Sequence, residues 1–214
     1  MPAKTGQLPL LGRLYLWATY RLYNELAWAY DLVAWIVSSG RWSRWRSLAL
    51  DFVEQQPVLE VGFGTGELLL AMRRQGWQVS GIDLSPSMHR VTTRKMRQHG
   101  LWVPRVQGAA QNLPFADDSF GSIVITFPAA YIVDPLALAE LRRVLQPGGR
   151  MIVAGLVVFV DHALFRRFSR LVFGTPPTSP LAQLEERSTL TGFKVTTVIR
   201  EDPPVRVPIL IAHK

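Results

Sequence analysis

At 214 residues the chain is long enough for one domain with a substantial core. Hydrophobic residues make up 48% of it, but no apolar run is long enough to span a membrane; the best candidate, Leu26 to Val37, is broken by Asp31. With no cysteine, disulfides, cysteine metal sites and thiol nucleophiles are excluded, while a formal charge of +8 leaves anionic partners open.

The N-terminus lacks a basic-then-apolar signal pattern, so a cytoplasmic chain is expected. Residues 1–9 read as a loose terminus. From Leu10 to Val53 the pattern is helical, two or three helices broken near Ser38-Ser39-Gly40. Five of the seven tryptophans (Trp17, Trp28, Trp35, Trp42, Trp45) and four of the five tyrosines (Tyr15, Tyr20, Tyr23, Tyr30) fall here. Such rings either pack on the rest of the molecule, line a lipophilic pocket, or meet a membrane interface. Arg41-Trp42-Ser43-Arg44-Trp45-Arg46 has the interfacial composition. Residues 1–56 are thus read as a helical segment before a second unit at 57–214.

Val58-Leu59-Glu60-Val61 reads as a buried strand, after which Gly62, Gly64 and Gly66 open a helix running to Arg74. Glycines at a strand-to-helix junction let a ligand approach the backbone. A dinucleotide fingerprint needs its third glycine at position 67, where Glu67 stands, so a nicotinamide enzyme is disfavoured. Glu60, two residues before the first glycine, suits a cationic or amine-bearing ligand. A second strand, Trp77 to Asp83, ends in an acid 17 positions beyond Gly66. A carboxylate there can accept from both hydroxyls of a ribose. Ser85 and Pro86 then cap and start a helix to Gln98.

After the loop from Val106 to Phe115 come a strand at Ser119 to Ile125, a helix at Pro135 to Leu145 that Asp134 can cap, and a strand ending near Val153. A basic apolar segment, Ala163 to Phe173, and a loop, Gly174 to Pro180, lead to a helix at Leu181 to Thr191. Strands at Phe193 to Arg200 and Val205 to Ala212 close the chain. The alternation implies a parallel sheet covered by helices on both faces. Arg90, Arg94 and Arg97 share a helix face, and Arg166, Arg167 and Arg170 cluster. Each group is either a solvated face or a contact for anionic lipid or an acidic substrate.

The run from Glu60 to Gly66 resembles E-x-G-x-G-x-G, the first motif of the class I S-adenosylmethionine (AdoMet)-dependent methyltransferases. Asp83-Leu84-Ser85, with Met88 after it, is similar to the second. Gly108-Ala109-Ala110-Gln111 resembles the adenine loop, and Leu145-Gln146-Pro147-Gly148-Gly149 the turn before the fifth strand. The small-molecule methyltransferases of ubiquinone and menaquinone biosynthesis are the most similar subgroup; Tyr30-Asp31, Gly40-Arg41-Trp42 and Trp45-Arg46 resemble its leading segment. The resemblance implies a Rossmann-like, doubly wound, mostly parallel seven-stranded sheet with an antiparallel last strand and an N-terminal helical lid. It implies AdoMet held by Glu60, Gly62, Phe63, Gly64, Gly66, Asp83, Leu84, Met88, Ala109, Ala110, Gln111, Thr126 and Tyr30, with no metal.

Two departures stand out. The adenine loop usually reads G-D-A-E, and here Ala109 replaces the aspartate that accepts from the adenine amino group. One lost hydrogen bond is worth about 0.5–1.5 kcal/mol, so affinity falls several-fold without vanishing. Amine-methylating relatives carry N-P-P-Y or D-P-P-Y after the fourth strand, whereas Thr126-Phe127-Pro128-Ala129-Ala130-Tyr131 is apolar. That favours a lipophilic, quinone-like or lipid-like acceptor over nucleic-acid amines.

Candidate bases or acceptor-pocket groups are Asp161 and His162, just past the fifth strand, and Tyr131. His89 and His99 are expected at the surface. The rival functions are methylation of RNA or protein, and AdoMet binding without catalysis. Peripheral contact with an anionic membrane is a further expectation; the oligomeric state is left open.

Overall fold

The computed structural model describes residue 21 and residues 29–156, 159–160, 179–203 and 205–214. Its strands are β1 (Val58–Val61), β2 (Val79–Asp83), β3 (Arg105–Gln107), β4 (Phe120–Thr126), β5 (Leu145–Ala154), β6 (Phe159–Val160), β7 (Lys194–Asp202) and β8 (Val205–His213). They form one sheet in the order β3-β2-β1-β4-β5-β8, with β7 on the far side of β8. Strands β1 to β5 are mutually parallel, and β8 runs antiparallel to its neighbours β5 and β7. The two-residue β6 pairs with β8 beyond the end of β5, on the same edge of β8. Eight strands therefore occupy seven places, as expected of the Rossmann-like fold.

The helices are α1 (Tyr30–Ser38), α2 (Trp42–Ser47), α3 (Glu67–Arg74), α4 (Pro86–Gln98), α5 (Pro135–Val144) and α6 (Pro180–Leu190). Both Pro86 and Pro135 stand in first turns, where their missing N–H costs nothing. Ser85 accepts from the Met88 amide, and Asp134 from the Leu136 amide.

Strand alternation sorts the core into two layers. Leu59, Val61, Ile123, Ile125, Met151, Val153 and Leu210 pack with Leu138 and Leu141 of α5 and Leu184 of α6. Val58, Val124, Ile152, Ala154, Ile209 and Ile211 pack instead with Leu68, Leu69 and Met72 of α3 and Met96 of α4. Glu60, between Leu59 and Val61, therefore faces the α3 layer. That parity decides its chemistry.

The segment Arg41 to Arg46, whose composition is interfacial, turns inward. Trp45 is 7% exposed, and its indole Nε1 donates to Asp202 Oδ2 at 2.9 Å. Arg44, with a largely exposed side chain, reaches the same carboxylate at 3.2 Å. Trp45→Phe is expected to cost about 1–3 kcal/mol, because it deletes a buried bond to a buried carboxylate. Arg44→Ala should change stability by about 0.5 kcal/mol or less, since exposed ion pairs contribute little. Urea unfolding of both variants checks the ranking; equal losses would contradict it.

Ala49 is fully buried, and Leu48, Leu50, Phe52 and Val53 pack on the α3 layer, so the chain before β1 joins the sheet's core. The expectations for Trp17, Trp28, Tyr15, Tyr20, Tyr23, Asp161, His162 and Ala163 to Phe173 lie outside the described residues.

Candidate functional site

The strand order reverses between β1 and β4, and ligands bind at the carboxyl ends of such a switch point. A cavity of about 600 Å³ opens there, within the range of small-molecule sites. Gly62 and Gly64 form its floor, with Gly66 ending the same loop below them; the three take φ 74°, 54° and 74°. At Gly66 glycine is required twice over. Its φ is left-handed, and a Cβ would come within 2.4 Å of Thr92 Cγ2. The Thr92 hydroxyl donates to the Gly64 carbonyl at 3.0 Å, pinning the loop to α4.

Asp83 ends β2 with both carboxylate oxygens engaged. Oδ2 accepts from the Gly64 amide and Oδ1 from the Ser85 amide, each at 2.8 Å. Burial raises its pKa, an effect these two bonds oppose. Each oxygen has a second lone pair, so a diol can still be accepted at the cavity wall.

Glu60 is 2% exposed, and its Oε2 has no hydrogen-bond partner. Its pKa is pushed up to about 8, first by burial and then by the Asp83 charge, against the charge of Arg46 and the Leu69 amide. A buried acid with an unused acceptor beside a glycine loop fits a ligand carrying a cation. The glycine floor, the Asp83 cradle and this orphaned oxygen together fit AdoMet, which has a ribose diol, an ammonium and a sulfonium.

The opposite wall is aromatic. Phe127, at the end of β4, takes φ 49°, rare for a bulky side chain, and stacks on Trp42 with centroids 3.8 Å apart and planes at 19°. Tyr30, Arg46, Pro128, Ala129 and Tyr131 complete this side. The Tyr131 hydroxyl donates to the Val61 carbonyl at 3.3 Å and stands 3.0 Å from where a Gly62 Cβ would be.

Helix α1 is latched over the loop. Asp31 accepts from the Thr65 hydroxyl at 2.7 Å and from Lys95 of α4, which also binds Glu67. Asp31→Asn should cost about 1 kcal/mol or less, because the charges are partly exposed. Hydrogen exchange in residues 30–38 should nonetheless quicken severalfold, and wild-type α1 should show a similar quickening at high salt. Unchanged exchange in the variant would show that the latch does not hold α1.

The cavity brings together Tyr30, Gly62, Phe63, Gly64, Asp83, Leu84, Thr126 and Tyr131. Glu60 lies behind the loop, Gly66 below it, and Met88 is fully buried in α4. Ala109, Ala110 and Gln111 stand just past β3, outside the cavity lining; Gln111 Nε2 donates to Asp134 Oδ2 at 3.0 Å. His89, expected at the surface, is half-buried: its ring meets Phe63 edge-on, and Nε2 lies 3.1 Å from the Asp83 carbonyl oxygen. Helical spacing from Pro86 turns it toward β2, a direction that only the packing of α4 reveals. The apolar segment read as facing the acceptor does line the cavity through Phe127, Pro128 and Ala129, and of the N-terminal rings Trp42 joins them; sequence reasoning missed Arg46 and the Asp31–Lys95–Glu67 latch. The spacing of Trp42 and Arg46, one helical turn apart, was the available signal.

Residues 58–149 match a family model described as a methyltransferase domain. A demethylmenaquinone methyltransferase from Thermus thermophilus is 38% identical over 138 residues, covering 62% of this chain and 63% of the relative. A ubiquinone/menaquinone biosynthesis C-methyltransferase from Paracoccus denitrificans is 36% identical over 141 residues, covering 62% of this chain and 56% of the relative. The chain thus spans less than two thirds of the length of these relatives. Among solved structures, a SAM-dependent methyltransferase from Aquifex aeolicus superposes with a TM-score of 0.61 at 19% identity, covering 81% of this chain and 92% of that one. At that identity the likeness establishes the fold.

Proposed function

We propose that the chain, whose residues 58–149 match a methyltransferase domain, transfers a methyl group from AdoMet to a lipophilic, quinone-like acceptor. The observation that carries the reading is the Asp83 carboxylate, held by the Gly64 and Ser85 amides at the edge of an apolar cavity. Asp83 would receive the ribose hydroxyls, the backbone of 62–66 would hold the rest of the cofactor, and Glu60 would offer its unused oxygen toward positive charge. AdoMet supplies an electrophilic methyl for in-line displacement. The protein's part is to align the acceptor and keep bulk water out. Trp42, Phe127, Pro128 and Ala129 provide the water-excluding wall, and Tyr131 presents its hydroxyl beside Gly62.

The names of the relatives in quinone biosynthesis and the apolar wall both support the acceptor class. Asp161 and His162 remain candidates for proton removal. Contact with an anionic membrane is a proposal supported by exposed Leu32, Trp35 and Ile36 on α1; among the described residues no helix is long and apolar enough to cross a bilayer.

Calorimetry with AdoMet and transfer of labelled methyl to a demethylmenaquinol test the reading. No binding at millimolar AdoMet would sink it. Tight binding without transfer to any quinol would favour the non-catalytic alternative.

A further inference from the structure

Arg46 follows Trp42 by one helical turn on α2, and both side chains line the cavity. The residue is 8% exposed, and the one hydrogen bond recorded for its side chain is a long one, from Nη2 to the Ser43 hydroxyl at 3.4 Å. Among the described residues no carboxylate stands within ion-pair distance of it. A guanidinium that faces an apolar cavity without an ion-pair partner is a ready site for a ligand anion.

The acids of the site do not fill that role. Glu60 feels the Arg46 charge but makes no ion pair with it, and burial pushes its carboxyl up to about 8. Asp83, bonded to two backbone amides, makes no ion pair with Arg46. The remaining polar side chains of the lining, those of Tyr30, Thr65, Ser85, Thr126 and Tyr131, are hydroxyls and supply no carboxylate. The Trp42–Phe127 stack, flat and apolar, lines the same cavity. A ligand that satisfies both features is a planar ring bearing an ionisable oxygen.

We propose that Arg46 is an oxyanion-binding residue of the acceptor pocket, pairing with the ionised hydroxyl of a phenolic or hydroquinone acceptor whose ring lies against Trp42 and Phe127. The proposal rests on the methyltransferase reading and adds the acceptor's charge state to it. A charge-assisted bond of this kind favours the ionised form, so the acceptor hydroxyl loses its proton to the buffer on binding. Ionisation enriches the ring carbons beside that oxygen in electron density; such a carbon would bond the methyl as the methyl–sulfur bond breaks, with S-adenosylhomocysteine leaving and the ring C–H proton then lost to water.

The test uses 4-nitrophenol, whose ionised form absorbs visible light, with the protein saturated by S-adenosylhomocysteine. In the wild type the bound probe should ionise about one pH unit lower than free probe, a tenfold shift toward phenolate. Arg46→Gln should abolish the shift, and Arg46→Lys should retain part of it. Arg46→Met, which suits a buried site without charge, carries the same expectation as Arg46→Gln should that variant fail to fold. Equal ionisation in wild type and the uncharged variants, or no saturable probe binding by the wild type, overturns the proposal. So does a tenfold loss of S-adenosylhomocysteine affinity in the variants with probe ionisation unchanged, which would place the guanidinium on the cofactor's carboxylate. Failure of the wild type to bind S-adenosylhomocysteine would instead count against the methyltransferase reading, while the probe titration could still be read.

Discussion

Asp83→Ala is expected to weaken AdoMet binding by at least about 100-fold. The carboxylate would accept two ribose hydroxyls, and hydrogen bonds to a charged group contribute about 1.5–3 kcal/mol each. Two such bonds amount to roughly 3–6 kcal/mol, or about 10²–10⁴ in affinity. A second loss compounds the first. Without Asp83 the Gly64 and Ser85 amides lose their acceptor, so the glycine floor and the start of α4 are no longer tied together. Asp83→Asn keeps one acceptor oxygen and should fall between alanine and wild type. Folding should suffer less than binding, because removing a largely buried carboxylate also removes its desolvation cost. Calorimetry beside thermal melts checks both halves. An alanine variant that binds AdoMet within threefold of wild type would remove Asp83 from the cofactor site.

Glu60→Gln is expected to stabilise the unliganded protein at pH 8 and to have little effect at pH 4. Burial raises the carboxyl from 4.5 to about 8 in the folded chain. Below pH 4.5 folded and unfolded chains both hold the proton, so no penalty exists. Between pH 4.5 and 8 the unfolded chain ionises while the folded one does not, and stability falls as pH rises. Each pH unit in that window costs about 1.4 kcal/mol, so the full difference is of the order of a few kcal/mol. Glutamine, which cannot ionise, escapes this loss. The same substitution should weaken AdoMet binding, since it removes the acid that positive charge would ionise. Urea unfolding from pH 5 to 8 reads the first effect: a wild-type-to-variant difference that stays flat across that range would contradict the placement of Glu60.

Much of this site was legible in the residues themselves. The acid at 60, the glycines at 62, 64 and 66 and the acid at 83 are local features of strand ends, and strand ends follow from runs such as Val58 to Val61. Helix α4 was legible to the residue because Ser85 and Pro86 mark its start chemically. The inward turn of Arg41 to Arg46 was not legible. Its composition suits a membrane as well as a pocket, and only the position of β8 supplies Asp202 as a partner for Trp45. The latch was hidden for a similar reason: Asp31, Thr65 and Lys95 are far apart in the chain and meet through packing.

By itself, then, the sequence determined the order of strands and helices apart from the short β3 and β6, together with the glycine floor and the two acids, because periodicity and capping act over a few residues. The tertiary structure alone decided which aromatic rings face the cavity, that one oxygen of Glu60 has no partner behind the loop, and that Arg46 lines the cavity without an ion pair. Burial and charge pairing depend on what distant segments bring alongside, and no local pattern encodes that.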